Sequence, residues 1–479
     1  MAVVGAGAAG LYTALAAARE GARVLLVSRS PLAETASYWA QGGLAAALAY
    51  YDSPERHLAD TVAAGRGASR PSAARVLCEE SPDVVRDLES LGVRFDTDRA
   101  GRLALGLEGG HSVRRVVHAG GSATGRRITR ELSALAATHE RIDVLERSSA
   151  RALWTSDGRC VGIIAELREG GAQHVLARAT VLATGGAAAL WARTTNPPGA
   201  VGAGLTLAAA AGAALADLEF VQFHPTALVS RGPSDGFLIT EAIRGEGALL
   251  VDEAEERFVD ELAPRDQVAL AIQQVLRRSP DAKVFLDMRG IDMSQFPNVA
   301  SALKRAGLDP SHEPVPVAPA AHYTMGGIAT DLDGRASLEG LFAVGECACN
   351  GLHGANRLAS NSLAECFVFG RRAGLAAAAR AGPLGDAAQR GAVGPNPVPP
   401  ASTRTSLWAN AGLERTREGL RALLEDPFPL ARLVAQAALH REESRGAHQR
   451  TDRRLTDPGL DGMHVVLRQD AEPALEPWR

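Results

Sequence analysis

A glycine-rich turn close to the N-terminus constrains this chain more than any other feature. Residues 1–4 are a short apolar run, Gly5-Ala6-Gly7-Ala8-Ala9-Gly10 follows, and residues 11–20 have helical periodicity closed by Gly21. Residues 23–27 form a second apolar run. Strand, G-x-G-x-x-G turn, helix, strand is the opening of a doubly wound parallel sheet, which makes this an α/β chain with a Rossmann-like nucleotide-binding domain. Gly5 makes the tight turn, Gly7 lets the backbone approach a pyrophosphate, and Gly10 lets helix and strand close on each other. The helix start at Ala6, Ala8 and Ala9 offers free N–H groups and a positive dipole end to the phosphates.

The second strand ends in Ser28-Arg29, where the general fingerprint expects an acidic residue for the ribose hydroxyls. Three further glycine turns extend the site: Ala40-Gln41-Gly42-Gly43, Thr184-Gly185-Gly186 and Val344-Gly345-Glu346. A long cofactor needs several such loops along its pyrophosphate, ribityl chain and ring, so the set favours FAD over NAD.

Composition narrows the partners. With 46% hydrophobic and 22% charged residues the chain is globular, and its net charge of −4 argues against nucleic acid or an anionic membrane. The five cysteines are few and unevenly spaced, which fits a reducing compartment and a cytoplasmic protein. Cys347 and Cys349 form a C-x-C without a second pair, and no metal is expected. The longest uncharged stretch, residues 194–216, is interrupted by Asn196-Pro197-Pro198-Gly199 and rich in Ala and Gly, so a membrane span is not expected. A motif starting at Gly5 leaves no room for a signal peptide ahead of it.

Farther along, residues 54–65, 71–91, 264–277 and 358–380 have helical periodicity, and 161–165 and 180–183 are apolar runs between turn signals. The texture changes at 217–323, where most acidic clusters lie, and this stretch reads as an insertion. Strand-plus-glycine patterning returns at 340–346. The resulting division is 1–217 with 324–380, an inserted 218–323, a Pro- and Gly-rich linker at 381–405, and 406–479, whose segment 407–440 is helical in pattern.

Ala40-Gln41-Gly42-Gly43, Ala183-Thr184-Gly185-Gly186, Gln222-Phe223-His224-Pro225-Thr226, Pro264-Arg265-Asp266, His322-Tyr323-Thr324-Met325-Gly326-Gly327 and Gly351-Leu352-His353-Gly354-Ala355-Asn356-Arg357 occur in this order. With them the chain resembles the succinate dehydrogenase/fumarate reductase flavoprotein superfamily, and within it the L-aspartate oxidase family. The resemblance implies an FAD-binding domain, an inserted α+β capping domain, a C-terminal helical domain and an active site between FAD domain and cap. It implies oxidation of L-aspartate to iminoaspartate, with electrons passed to O2 or fumarate. It also implies transient delivery of the product to quinolinate synthase for NAD biosynthesis. Ser37, Ser362 and Leu363 join the cofactor contacts on the same grounds. Ala36 stands where many relatives carry the His that bonds FAD covalently, so FAD is expected to be non-covalent. Ala203 stands where the family usually has an Asp near FAD.

A dicarboxylate must be desolvated near the flavin, which calls for cations and donors at both ends. The candidates are His224, His322, Arg357 and Arg265, with Gln222, Thr240, Glu241, Tyr323 and Ser360 around them. The resemblance gives Arg265 the substrate proton, a role that needs a nearby carboxylate because arginine is charged at any ordinary pH. It gives Glu108 the ammonium of aspartate, where succinate and fumarate enzymes usually carry Phe. Each residue also has an ordinary explanation: His224 as a satisfied loop histidine, Thr240 as a helix cap, Arg265 paired with Asp266, Glu108 as a solvated loop residue. Two other functions stay open, a soluble fumarate reductase or succinate-oxidising flavoprotein and a non-catalytic FAD-binding homologue.

Overall fold

The computed structural model describes residues 1–32, 34–380 and 398–478. Its central sheet has five parallel strands in the order Leu341–Ala343, Thr180–Leu182, Ala2–Val4, Val24–Ser28, Ile142–Glu146. The strand at Ala2–Val4 pairs on both sides, and from it the chain turns at Gly5 into the helix Ala8–Arg19. Gly5 has φ +109°, open to glycine at low cost, and a Cβ on Gly10 would lie 1.9 Å from the Gly5 carbonyl oxygen. The turn therefore needs glycine at both positions, for the two reasons its spacing implied. The long helix Asn361–Ala378 packs along the first helix and completes this layer.

The inserted stretch builds a separate antiparallel sheet in the order Val221–Leu228, Val315–Thr324, Val284–Asp287, Leu249–Val251. Its apolar side chains form their own cluster, whose fully buried members run from Leu228 to Val317. The two long strands that enter and leave the insertion pair with each other, and both are irregular. Gln222 faces Tyr323 and Phe223 faces Ala321, which leaves His322 as an extra residue. His224 faces Ala320 and Ala227 faces Ala318, so the opposite strand carries an extra residue at Pro225-Thr226. Proline cannot donate to the ladder, which suits it to that irregularity.

At the C-terminal end the expected linker overlaps a helix. Residues 381–397 lie outside the described residues, but Ala401–Asn410 is helical, started by Pro400, whose fixed φ suits a helix entry. The segment read as one helical pattern is three helices, Ala401–Asn410, Arg417–Leu423 and Pro429–His440. The tail is a hairpin, Met463–Leu467 with Ala474–Pro477, which joins a second sheet through Leu215–Ala216. Two-residue alternation that short has little periodicity to detect.

This region is fastened to the root of the insertion by buried charge. Arg441 lies 2.6 Å from Glu219 and 3.0 Å from Glu443, all fully buried, with its guanidinium 4.7 Å from the Phe220 ring centroid. Arg415 donates 2.6 Å to the Glu219 carbonyl. Replacing Arg441 by Leu strands the buried Glu219 carboxylate, while Glu443 keeps Arg445 at 2.8 and 3.0 Å, and we expect unfolding free energy to fall by about 3–5 kcal/mol. A urea titration reads this as a lower midpoint, and Glu219→Gln in the same background should recover part of it.

Candidate active site

The loops that follow the strands Ala2–Val4, Thr180–Leu182 and Leu341–Ala343 meet at the carboxyl edge of the central sheet, where open α/β sheets bind ligands. Here lie Ala6, Gly7, Ala8 and Ala9, then Thr184 and Gly185, then Glu346. Ser37 Oγ accepts from the Ala8 N–H at 3.0 Å, and a Cβ on Gly7 would sit 3.0 Å from that hydroxyl. Ser28 turns its hydroxyl to the Ser30 carbonyl at 2.6 Å, and Arg29 donates to the Gly199 carbonyl at 2.9 Å. Ala40 accepts the Gly125 N–H at 3.0 Å, and Gln41 donates to the Leu238 carbonyl of the insertion at 2.8 Å. Thr184 Oγ1 and Gln41 Oε1 are buried without a hydrogen-bond partner among the described residues. Orphaned polar atoms beside a glycine cradle fit a large polar cofactor such as FAD. Burial raises Glu346 to about 7, although the Thr324 N–H donates to it at 3.0 Å. The helix Ala203–Ala210 still starts where the family Asp is replaced, with Gly202 at φ +69°.

The substrate candidates gather where the insertion meets this sheet. Arg265 Nε donates to Glu241 at 2.6 Å and its NH1 to Gln222 Oε1 at 3.0 Å. Asp266 is taken by Arg66 at 2.8 Å, so Arg265 does not pair with its neighbour. The carboxylate beside Arg265 is therefore Glu241. Glu241 also receives the Gly109 N–H at 3.0 Å and lies 3.2 Å from Arg244.

Arg357 shares the Gln222 oxygen, at 3.3 Å from Nε and 3.2 Å from NH2, donates to Ser362 Oγ, and lies 4.4 Å from the Tyr323 ring centroid. It forms no ion pair among the described residues. Burial, then the charge of Arg265, lowers it to about 10. Two buried guanidiniums around one neutral oxygen are an anion site. His224 and His322 have ring centroids 5.1 Å apart, brought together by the strand irregularity at His322. Burial, followed by Arg265, holds both well below the usual imidazole range, so they are neutral donors or acceptors. Thr195 meets His322 Nδ1 at 2.8 Å. Thr240 is buried, and the short helix Ala242–Gly245 has Glu241 at its N-cap with no side-chain cap bond, so Thr240 is not its cap.

Glu108 is buried and not solvated. Its Oε2 accepts from Ser360 at 2.6 Å, and the same hydroxyl accepts the Gly43 N–H at 3.2 Å. Its Oε1 is 3.6 Å from His118 Nε2, and neither atom has a hydrogen-bond partner among the described residues. Gly42 lies beside it: a Cβ there would be 3.7 Å from Oε1. Leu363 is buried in the first turn of the helix that Ser360 opens.

Sequence reasoning missed His118, a lone histidine after a two-residue strand with no motif around it. It also left out Glu365, which accepts from Tyr323 at 2.8 Å and lies 2.9 Å from His353. No local pattern marks either, because each meets its partner from a different element or loop.

Strand-end loops, glycine cradle, paired guanidiniums and inserted sheet define a flavoprotein of the succinate dehydrogenase/fumarate reductase type. Residues 1–363 match the FAD binding domain family, and 402–472 match the fumarate reductase flavoprotein C-terminal family. An L-aspartate oxidase of Caulobacter vibrioides is 45% identical, covering 98% of each chain, and one of Mycobacterium leprae is 43% identical, covering 98% of this chain and 95% of that one. The chain belongs to the L-aspartate oxidase family. Its fold is similar to that of E. coli quinol fumarate reductase FrdA, with a TM-score of 0.88 at 29% identity over 99% of this chain and 95% of that one. It is also similar to Mycobacterium smegmatis Sdh1, with a TM-score of 0.84 at 31% identity over 100% and 94%.

Burial disfavours the Glu108 carboxylate, yet His118, Ser360 and Arg265 outweigh it and pull Glu108 down from 4.5 to about 2. A depressed folded value gives stability that is present above 4.5 and lost as pH falls towards 2. Glu108→Gln should therefore flatten the fall in melting temperature across that window, read by thermal melts at stepped pH.

Proposed function

We propose that this chain oxidises L-aspartate to iminoaspartate with non-covalently held FAD, supplying the first step of a route to quinolinate and NAD. The observation that carries this reading is the pairing of an orphaned buried anion, Glu108 Oε1, with a buried cation lacking a carboxylate, Arg357. A zwitterionic amino acid satisfies both; succinate satisfies only the second. Bound FAD would accept the hydride from Cα and hand its electrons to O2 or fumarate.

The chain's own residues do the rest. Glu108 holds the ammonium, and Arg357 with the neutral His224 and His322 holds the carboxylates. Gln222 keeps both guanidiniums in register. Arg265 and Glu241 form a proton pair at the substrate carbon, used when fumarate is the acceptor. The insertion, which we assign to 218–323 as a cap, excludes water when it closes, and the Gln41–Leu238 contact is one of its latches. Ala36 supports non-covalent FAD, because alanine offers no nitrogen for a covalent bond. Five free cysteines support a cytoplasmic location, and delivery to quinolinate synthase is the expected fate of an unstable imine.

In anaerobic solution with FAD bound, L-aspartate should bleach the flavin band and succinate should not. Glu108→Phe should lose aspartate oxidation by at least about 100-fold while keeping fumarate reduction, and Glu241→Gln should do the reverse. Bound FAD that aspartate leaves oxidised would sink the reading. Bleaching by succinate alone would favour the succinate-oxidising alternative.

A further inference from the structure

An ammonium has no lone pair with which to expel a hydride from its carbon, so an aspartate held by Glu108 must first lose a proton from nitrogen. The Arg265–Glu241 pair is a poor acceptor for it: both Arg265 nitrogens with partners donate to Glu241 and Gln222, and the guanidinium already carries its proton. Glu108 alone is also inadequate. Its side chain is 2% exposed and has no path of its own by which to pass a proton to solvent.

We propose that His118 takes the substrate's ammonium proton from Glu108 and releases it to solvent, giving the amine its own proton exit. This rests on the aspartate-oxidising reading above. Glu108 Oε2 is occupied by Ser360 at 2.6 Å, which leaves Oε1 as the reactive oxygen. Oε1 looks at His118 Nε2 across 3.6 Å, and a small rotation of the carboxylate brings them into hydrogen-bond range. The His118 side chain keeps 15% of its surface exposed against 2% for Glu108, while Nε2 itself is buried. The imidazole thus spans from the buried carboxylate to solvent.

The strand beside it makes room for this. Leu105–Gly106 pairs with Val116–Val117, and a Cβ on Gly106 would fall 2.8 Å from His118 Cε1. The ring fits only because residue 106 has no side chain. Other groups coupled to Glu108 are Arg265, Arg244 and Arg357, cations that accept no proton, and His111, whose two ring nitrogens are taken by the Ala359 carbonyl at 2.9 Å and Arg115 at 3.2 Å.

The balance is complete. One N–H bond of the ammonium breaks and its proton passes to Glu108 Oε1, leaving the electron pair on nitrogen. With FAD bound as the oxidant of the proposed activity, the Cα–H pair would leave as hydride, and the nitrogen pair would close the C=N bond of the iminium product. The carboxyl proton moves to His118 Nε2, and the imidazole returns one to water.

The test is anaerobic stopped-flow reduction of the FAD-loaded protein by L-aspartate, in wild type and His118→Ala. The variant should reduce at least about 100-fold more slowly. Added imidazole should restore the rate, and pyrazole, of the same shape but far lower basicity, should not. Fumarate reduction by the pre-reduced variant should match wild type, because fumarate has no ammonium, and succinate should perturb the oxidised flavin spectrum at unchanged concentration. Gly106→Ala, which displaces the ring without removing it, should give a smaller loss of the same kind. A wild-type rate in His118→Ala, equal rescue by pyrazole, or a parallel loss of fumarate reduction would each overturn the proposal. Wild-type protein that aspartate does not reduce overturns the parent reading and this one together, so the two failures are distinct.

Discussion

One neutral amide oxygen holds the centre of this molecule together. Gln222 Oε1 accepts from both Arg265 and Arg357, two guanidiniums buried side by side. Like charges in a low-dielectric site repel, and only Arg265 has its own carboxylate. The arrangement stands because Gln222 bridges the pair, its amide nitrogen anchored on Asn356 at 3.0 Å and on the Arg357 carbonyl at 2.8 Å. Gln222 lies on the strand that leads into the insertion, and Asn356 and Arg357 on the loop before the long helix. The same amide is therefore both an electrostatic spacer and a joint between two parts of the fold.

That joint explains how the surrounding architecture divides its work. The parallel sheet offers strand-end loops for a nucleotide, and the inserted sheet brings His224 and His322 to face them. A regular antiparallel ladder alternates faces, so the extra residue at His322 is what lets its ring meet His224. Behind the insertion, Arg441, Glu219 and Glu443 tie the C-terminal helices to the strand's root. Arg115 with Asp52, Arg265 with Glu241 and Arg441 with Glu219 are buried charges whose partners offset the cost of desolvation, whereas Arg357 has no carboxylate among the described residues.

Much of the fold was legible locally. The glycine turn, the first helix and the two flanking strands follow from spacing and periodicity, because a G-x-G-x-x-G turn has few other geometries open to it. The acidic texture of 217–323 suggested an insertion, and an antiparallel sheet with its own apolar cluster lies within that stretch. Ala401–Asn410 was hidden by the prolines ahead of it, and the terminal hairpin by its shortness. At the site, residues inside long motifs were found together, whereas His118, Glu365 and Thr195 carry no motif and were not.

The sequence by itself determined the nucleotide-binding half, the succession of site motifs and the chemical types available to a dicarboxylate. Those properties depend on neighbours within a few residues, where backbone geometry is nearly forced. Only the tertiary structure decided which charge meets which: Arg265 with Glu241 and not Asp266, Glu108 with Ser360 and His118, Arg357 with Gln222 and the Tyr323 ring. Such pairings join residues up to 252 positions apart, and they are selected by burial, which makes an unpartnered charge costly only after the chain has closed around it.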